Sequence, residues 1–372
     1  MKKLFLIVLA VAQLIMSSCS KDNPVETELI PDGKIEIVIN DIPYQTDKFL
    51  RIPYTIKMWE FENEDLYLKE IIIFDFDTKA ELLRLNESEL PFIYKNPLDQ
   101  IPGVTMDAIS SYYLSIQIPI PLTSTKPAKI SHRFIFKKPF NSKEITLEGG
   151  VFSPRFSETP LIISSPVKGK NWVFINQSTL GYHFYVLFFV NGKISRSERF
   201  AFDNLRLNDD YSNIYQGDPK LNTSYFNYHD TLYAVADGSV ISIKDGRPEN
   251  NGDAQDVQMN DLDELAGNYI ILKIGEGCYA FYCHCAPNTF KVNVGDVIKK
   301  GDPIALLGNS GNSTAPHLHF QITDGPDLFF SNGIPFVLKS YTKIGEYGVG
   351  TNTPTPINNS MMEEGVVVDF GL

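Results

Sequence analysis

Few of the residue types that usually mark a function are common in this chain. Its 372 residues include four cysteines, six histidines and two tryptophans. The formal net charge is −12, and no run of basic residues occurs. An acidic surface repels phosphate backbones and anionic lipid head groups, so nucleic acid is excluded as an expected partner. Beyond the N-terminal segment no apolar stretch has the length of a membrane span.

The chain is nevertheless rich in the residues that build cores. Hydrophobic residues make up 43% of the sequence, with 25 phenylalanines and 18 tyrosines. At one domain per roughly 100–200 residues, the length predicts two domains.

The N-terminus has the features of an export signal. Lys2-Lys3 is followed by an apolar run over residues 4–15 that is too short to span a bilayer. Ser17-Ser18 then precedes Cys19. Residues 1–18 resemble a bacterial lipoprotein signal, which implies cleavage before Cys19 and lipidation of its sulfur. An ordinary secretory signal is the alternative; the position of Cys19 directly behind two small residues favours lipidation.

A lipidated Cys19 implies a cell-envelope protein, because several acyl chains hold a protein stably to a membrane. Removal of residues 1–18 takes away two lysines and no acid, leaving a net charge of −14. The charged segment 20–24 resembles the surface-export signals of Bacteroidota lipoproteins. We therefore expect anchoring at the outer membrane, on its periplasmic or surface face. Residues 19–33 are polar with turn-forming prolines, and they predict a lipidated tether.

Residues 34–160 predict an antiparallel β-sandwich. Apolar and polar residues alternate in several runs that are separated by Pro, Asn, Asp and Gly, and no helical period is evident. The alternating apolar positions include Ile35, Ile37 and Ile39, then Ile52, Tyr54, Ile56 and Met58, and later Leu114, Ile116, Ile118 and Ile120. The region contains no cysteine and one histidine, so we assign it no chemistry and expect a spacer or binding module.

Two histidines share one short segment of the second half. A Gly/Asn/Ser turn runs into His317-Leu318-His319-Phe320. In a strand, His317 and His319 lie on one face and the two apolar residues on the other. Because histidine is scarce here, two imidazoles side by side indicate part of a metal site rather than an exposed strand edge.

This segment resembles the signature of the lysostaphin-type (LytM) zinc metallopeptidases, which cleave peptide cross-links in peptidoglycan. Three further segments resemble that family's motifs and occur in its order, across about residues 165–345. They are Ala234-Val235-Ala236-Asp237-Gly238-Ser239-Val240, Tyr282-Cys283-His284-Cys285, and Val294-Gly295-Asp296-Val297-Ile298-Lys299-Lys300-Gly301-Asp302. The fold implied is mainly β: an N-terminal β-sandwich followed by a LytM-like antiparallel β-sheet domain over residues 165–345. The implied cofactor is zinc, and the implied partner is a peptidoglycan peptide.

The resemblance assigns roles to individual residues. Asp203 and His319 match zinc ligands, while His284 and His317 match the histidines that polarise water and stabilise the tetrahedral intermediate. The position of the remaining ligand, four residues before Asp203, holds Arg199. Because a guanidinium carries no free acceptor, it cannot bind a cation. We therefore predict an Arg199–Asp203 ion pair in the metal's position.

Two functional interpretations follow. One is a zinc endopeptidase acting on peptidoglycan or another peptide, in which His183, predicted to lie in a neighbouring strand, could supply the missing ligand. The other is a degenerate homologue without zinc that binds a peptide or cell-wall fragment or regulates a partner hydrolase. For His183 itself an ordinary packed or surface position is favoured over ligation.

The remaining cysteines lie on a predicted hairpin of residues 269–274 and 278–284. A regular strand directs Cys283 and Cys285 away from His284, so we expect buried thiols rather than a metal site. A disulfide would leave one of the three thiols unpaired. Residues 346–372 are expected to be a C-terminal extension, whose last strand returns to the sandwich or pairs with the second domain.

Overall fold

The computed structural model describes residues 34–59, 67–90, 111–137, 144–176, 182–190 and 193–371. The predicted signal peptide, Cys19 and the tether fall outside these residues. Within the described ranges, no helix has the length and apolar character needed to cross a membrane.

The first domain is the predicted β-sandwich. One antiparallel sheet contains β1 (Lys34–Asn40), β2 (Tyr44–Gln45), β3 (Phe49–Trp59) and β6 (Ser111–Pro121). The other contains β4 (Tyr67–Asp75), β5 (Glu81–Leu85), β7 (Ile130–Lys137) and β8 (Glu144–Phe152). Alternate apolar residues of both sheets meet in one core, which buries Ile52, Ile56, Ile71, Leu114 and Phe134. The period of two in the sequence thus places one face of each strand inside.

The second domain is built on one eleven-stranded sheet. In spatial order its main path is β18 (Val297–Ile298), β15 (Gly238–Lys244), β16 (Asn268–Gly275), β17 (Cys278–Cys285), β20 (Leu318–Thr323), β13 (Phe202–Arg206), β10 (Trp172–Ile175), β23 (Val366–Asp369), β21 (Phe336–Glu346) and β22 (Gly350–Ser360). These neighbours pair antiparallel, and β9 (Leu161–Ile163) adds to β21 in parallel. The smaller ribbons are β11 (Phe188–Val190) with β12 (Lys193–Ser195), and β14 (Thr231–Tyr233) with β19 (Pro303–Leu306).

The predicted hairpin is present as β16 and β17, whereas the predicted C-terminal extension is not separate. The expected domain boundary at residue 345 falls inside β21. The strands β22 and β23 then continue the sheet of the second domain, and β23 lies between β10 and β21. The final strand therefore pairs with the second domain, because its buried valines 366–368 complete that domain's apolar layers.

The two domains share a polar and apolar interface. Tyr44 of β2 is buried in the core of the second domain. The backbone N–H of Met361 donates to the carbonyl of Gln45 at 2.9 Å. Ion pairs also cross the interface, among them the half-buried Lys343–Asp47 pair at 3.0 Å. The sandwich therefore lies directly against the sheet that carries the candidate site.

Candidate metal centre

Two adjacent strands in the middle of the large sheet bring Asp203 and His319 together. In the antiparallel register of β13 and β20 the two residues are directly opposite each other. Cross-strand partners point to the same face, so their side chains meet. His319 Nδ1 lies 3.1 Å from Asp203 Oδ1, and both side chains are buried. The sequence prediction that these two residues belong to one site agrees with this arrangement.

His183, which lies outside the sheet, forms a cluster with Asp203 and His319. The expected strand at this position is a 3-10 turn, Tyr182–Tyr185. The turn directs the imidazole at the sheet, with Nε2 3.2 Å from Asp203 Oδ2 and the ring centroid 4.6 Å from that of His319. His183 is therefore not an ordinary packed histidine, as was favoured from the sequence, but the third member of the cluster.

Arg199 does not pair with Asp203, and that prediction was wrong. The prediction assumed that positions 199, 201 and 203 share a strand face, but β13 begins only at Phe202. Residues 197–200 form a turn, in which the N–H of Arg199 donates to the carbonyl of Arg196 at 3.1 Å. The turn sends the guanidinium into the first domain, where Nε lies 2.8 Å from Asp41 Oδ2. Arg199 therefore leaves the space beside Asp203 open, instead of occupying the metal's position.

His284 and His317 face the same centre from the next strand and from the loop before β20. The Nδ1 atom of His284 lies 2.7 Å from the carbonyl oxygen of Ser310, and Nδ1 of His317 lies 2.8 Å from that of Ala315. With Nδ1–H donated to a carbonyl, each ring presents a free Nε2 lone pair. His317 Nε2 is 3.5 Å from Asp203 Oδ1, so this lone pair is directed at the cluster.

A β-bulge in β17 positions His284. Two residues of β17, Cys283 and His284, oppose one residue of β16, and His284 has a φ of 62°. A bulge redirects side chains, and backbone strain of this kind concentrates at functional sites. Cys283 consequently lines the same cavity as His284, while Cys285 packs into the main core on the other side. The prediction that both thiols point away from His284 was wrong for Cys283. Cys278, Cys283 and Cys285 are free thiols; Cys283 and Cys285 are buried as expected, whereas Cys278 is half-buried.

Three residues that the sequence did not single out orient the cluster. Nδ1 of His183 lies 3.1 Å from a carboxylate oxygen of Glu198, and Nε2 of His319 lies 2.9 Å from Gln321 Oε1. Asn176 Nδ2 donates to Asp203 Oδ2 at 2.9 Å. Gln321 could have been found, since it shares a strand face with His319 by the period of two. No such signal identifies Glu198, which lies in the turn before β13.

The cluster is strongly coupled electrostatically. Burial lowers the pKa of His183, but the charges of Asp203 and Glu198 and the hydrogen bonds to them outweigh it and raise that pKa to about 10. Burial raises the pKa of Asp203, yet the neighbouring His183 and His317 hold it well below its usual value. Burial lowers the pKa of His317, and burial with the charges of His317 and His319 lowers the pKa of His284. At neutral pH the cluster thus contains an ionised Asp203 beside a protonated His183.

The donor set fits a zinc ion. His183, Asp203 and His319 each offer one ligand atom, and these atoms lie within 4.8 Å of one another. Ligand atoms at about 2.0–2.1 Å from a tetrahedral zinc are about 3.3 Å apart. His319 Nδ1 lies 3.1 Å from Asp203 Oδ1 and His183 Nε2 lies 3.2 Å from Asp203 Oδ2, so each imidazole approaches one oxygen of the carboxylate at about that distance. Two imidazoles and one carboxylate are a usual ligand set of catalytic zinc. Glu198 and Gln321 take the remaining ring nitrogens, as the outer partners of metal-binding histidines do.

The cluster lies at a cavity of about 450 Å³. Its polar lining includes the four histidines, Asp203 and Glu198, and its apolar lining includes Val186, Phe188, Leu265, Leu328 and Phe329. Ligand sites typically combine apolar walls of this kind with a few convergent polar groups. The arrangement is suited to activating water against a bound carbonyl.

Gly311 allows the loop before β20 to reach the site. It has a φ of 79°, and a Cβ there would lie 2.4 Å from the backbone nitrogen of Gly267. We expect Gly311→Ala to lower the free energy of unfolding by on the order of 2–3 kcal/mol, because strain and a backbone clash add. It should also weaken the site, since this loop contributes the Ser310 carbonyl that orients His284.

Urea unfolding of Gly311→Ala beside Gly246→Ala tests this expectation. Gly246 has a φ of 84° with open space around its Cβ position, so its variant carries the backbone strain without the clash. Equal losses in the two variants would contradict the proposed close approach.

Part of this site lies in a segment that matches a known protein family. Residues 225–329 match Peptidase family M23. The match includes His284, His317 and His319, whereas His183 and Asp203 lie before it.

Similar curated proteins are bacterial peptidases. Lysostaphin of Staphylococcus simulans is 38% identical over 94 residues, which are 24% of this chain and 18% of lysostaphin. The glycyl-glycine endopeptidase ALE-1 of Staphylococcus capitis is 39% identical over 100 residues, covering 25% of this chain and 24% of that protein. The peptidoglycan DD-endopeptidase ShyB of Vibrio cholerae is 29% identical over 91 residues, 24% of this chain and 17% of that protein. The chain thus spans less than a quarter of the length of these relatives.

Among solved structures, the catalytic domain of lysostaphin from Staphylococcus simulans aligns at 25% identity. The alignment covers 31% of this chain and 76% of that domain, with a TM-score of 0.20.

Proposed function

Since this chain carries a domain of the lysostaphin-type M23 metallopeptidase family, we propose that it is a zinc-dependent endopeptidase that cleaves peptide cross-links of peptidoglycan. The observation that carries the proposal is the set of His183, Asp203 and His319. It contains three protein ligands, the number that catalytic zinc sites usually have, although residue 199 is arginine.

Zinc held by these residues would supply Lewis-acid polarisation of the scissile carbonyl and lower the pKa of the attacking water. The residues of the chain perform the other tasks. Glu198 and Gln321 fix the orientation of the two ligand imidazoles through their outer nitrogens. Asn176 holds the Asp203 carboxylate in place by donating to one of its oxygens.

The two remaining histidines act on protons and on developing charge. Neutral His317 presents Nε2 to the centre and accepts a proton from water as general base. His284 lies beside it, with the ring centroids 4.6 Å apart. The proton that His317 takes from water is passed on to the leaving amine, so no proton is gained or lost over the reaction. An imidazole at the position of His284, when it carries a proton on Nε2, donates a hydrogen bond to the oxygen of the tetrahedral intermediate.

The substrate class rests on the relatives and on the cavity. The similar proteins include a glycyl-glycine endopeptidase and a peptidoglycan DD-endopeptidase. A cavity lined by apolar side chains as well as by the polar cluster suits a peptide of low charge. The alternative of a degenerate, zinc-free binding protein rested on Arg199 occupying the metal's position, and Arg199 instead contacts Asp41.

We further propose that the protein acts in a bacterial cell envelope, anchored by a lipid on Cys19 and connected to that anchor by a tether of residues 19–33. Replacement of Cys19 by alanine should move the protein from the membrane fraction to the soluble fraction, because the acyl chains provide the anchor. Fractionation of cells followed by immunoblotting measures this. Cys278→Ala is the matched control, and membrane association that persists in Cys19→Ala would contradict the anchor.

The enzymatic proposal is tested with protein that lacks residues 1–19. We expect about one zinc per chain by elemental mass spectrometry, as a three-ligand site should bind. Incubation with purified peptidoglycan should release new peptide amino termini, detected by mass spectrometry, and a chelator should stop the release until zinc is restored. His319→Ala should contain no zinc. A wild-type protein that binds no zinc and leaves every peptide bond intact would overturn the proposal.

A further inference from the structure

Two buried arginines connect the turn that carries Glu198 to the first domain through ion pairs. Arg196 Nη1 and Arg199 Nε lie 2.9 Å and 2.8 Å from the same oxygen, Asp41 Oδ2. The side chain of Arg199 is fully buried. One carboxylate that directly follows β1 therefore holds both ends of the turn in the second domain.

The guanidinium of Arg199 finds its other partners within the first sheet of the sandwich. Nη1 donates to Thr55 Oγ1 at 3.0 Å and to Ser115 Oγ at 3.1 Å, and Nη2 donates to the carbonyl of Tyr54 at 2.8 Å. A buried cation is tolerated only where such partners satisfy it, so its geometry is tightly determined. The side chain of Arg199 thus inserts into the first domain, where residues of β3 and β6 surround it.

The same guanidinium lies against the segment of His183. Its Cζ is 4.2 Å from the ring centroid of Phe184, the residue next to His183. Glu198, the residue before Arg199, contacts His183 Nδ1 from the other side. Glu198 and Arg199 are consecutive residues, and both contact the 3-10 turn Tyr182–Tyr185.

His183 depends on these contacts more than the other members of the cluster. Asp203 and His319 are fixed by the backbone ladder of β13 and β20. His183 lies in a single turn outside the large sheet, whose position is set by its packing and by one backbone bond to Asn176. Short 3-10 turns have weak internal hydrogen bonding, so neighbouring elements determine their placement.

We propose that the first domain forms part of the scaffold of the metal centre, with Asp41 and Arg199 as positioning residues that hold Glu198 and His183 in place for the ion. This inference rests on the proposed zinc site. On this proposal the sandwich supports the reaction without binding a ligand itself. Arg199 then serves to position the site instead of blocking it. Without the first domain, the second domain would retain Asp203 and His319 but hold His183 loosely.

Asp41→Asn tests the proposal, with Asp47→Asn as the matched control. Asp47 also lies in the first domain and forms a half-buried ion pair with a cation of the second domain, Lys343, away from the site. Both variants should lose stability in urea unfolding. Only Asp41→Asn should bind zinc about 10- to 100-fold more weakly, the range seen when the outer partners of metal ligands are removed. Competition with a chromophoric chelator measures the affinity, and the visible spectrum of bound Co²⁺ reports any change in ligand geometry.

A second variant covers the case in which Asp41→Asn fails to fold. Phe184→Leu leaves every ion pair intact and removes the ring beneath the guanidinium, and it should also weaken zinc binding and alter the Co²⁺ spectrum. Zinc affinity in Asp41→Asn or Phe184→Leu equal to that of Asp47→Asn would overturn the positioning role while leaving the zinc site itself established. Absence of zinc from the wild-type protein would overturn both proposals.

Discussion

Replacement of His183 by alanine is expected to abolish zinc binding and, with it, peptide hydrolysis. The variant leaves two protein ligands, Asp203 and His319, which is fewer than catalytic zinc sites use. Affinity should fall by more than the roughly 10- to 100-fold seen for outer partners, and kcat/KM by about 10³-fold or more, as when a member of a catalytic unit is removed. Elemental analysis and the rate of release of peptide amino termini measure the two effects.

The controls for His183→Ala also test whether the side chain of residue 199 points away from the cluster. His229→Ala replaces an exposed histidine that stacks on Tyr228, and it should keep both zinc and activity. Adding Arg199→His to His183→Ala should not restore zinc, because residue 199 points toward Asp41. Restoration of zinc by that second substitution, or full zinc content in His183→Ala alone, would show that His183 is not the ligand.

Replacement of His317 by alanine is expected to stop catalysis while zinc stays bound. His317 is outside the three-ligand set, and its Nε2 faces the centre 3.5 Å from Asp203 Oδ1. Loss of a general base costs about 10²–10⁴-fold in rate. The loss should appear in kcat, with KM little changed, because the interaction is made mainly in the transition state. Steady-state kinetics on a cross-linked peptide beside zinc analysis of the same sample separates the two properties.

His284→Ala provides a comparison for His317→Ala. Both rings have Nδ1 on a backbone carbonyl, and both lie in the same cavity, so both variants should retain zinc. If the two residues act in one unit, the double variant should be little worse than the poorer single variant. Wild-type activity in His317→Ala would exclude it as the base, and zinc loss in that variant would instead assign it to the metal.

The proposed ligand role of His183 accounts for the incomplete sequence pattern. The histidine expected four residues before Asp203 is absent, and His183 provides an imidazole from twenty residues before it. The spacing of His183 along the sequence does not identify it as a candidate ligand. Residues that meet in space need no fixed separation along the chain when a loop connects them. The family match itself begins only at residue 225, after both His183 and Asp203.

Failures of the sequence analysis occurred where the backbone leaves regular structure. The prediction for Arg199 applied strand alternation to a turn, and the prediction for Cys283 applied it across a bulge. The bulge adds one residue to β17, which is enough to reverse the face of a side chain, and the turn at Arg199 lies outside the strand altogether. Whether a turn or a bulge forms depends on distant partners, such as Asp41 for Arg199 and Ser310 for His284.

The sequence by itself determined the two β domains, the central strands, and four of the five residues at the centre. Alternation of apolar residues is a local property, so the sandwich strands and the pairing of His317 with His319 could be inferred from it. Only the tertiary structure decided that His183 lies beside Asp203 and His319, that Glu198 and Gln321 contact the two imidazoles, and that Arg199 joins the domains. Those outcomes depend on which segments pack against each other, because a side chain outside a regular strand takes its direction from its long-range contacts.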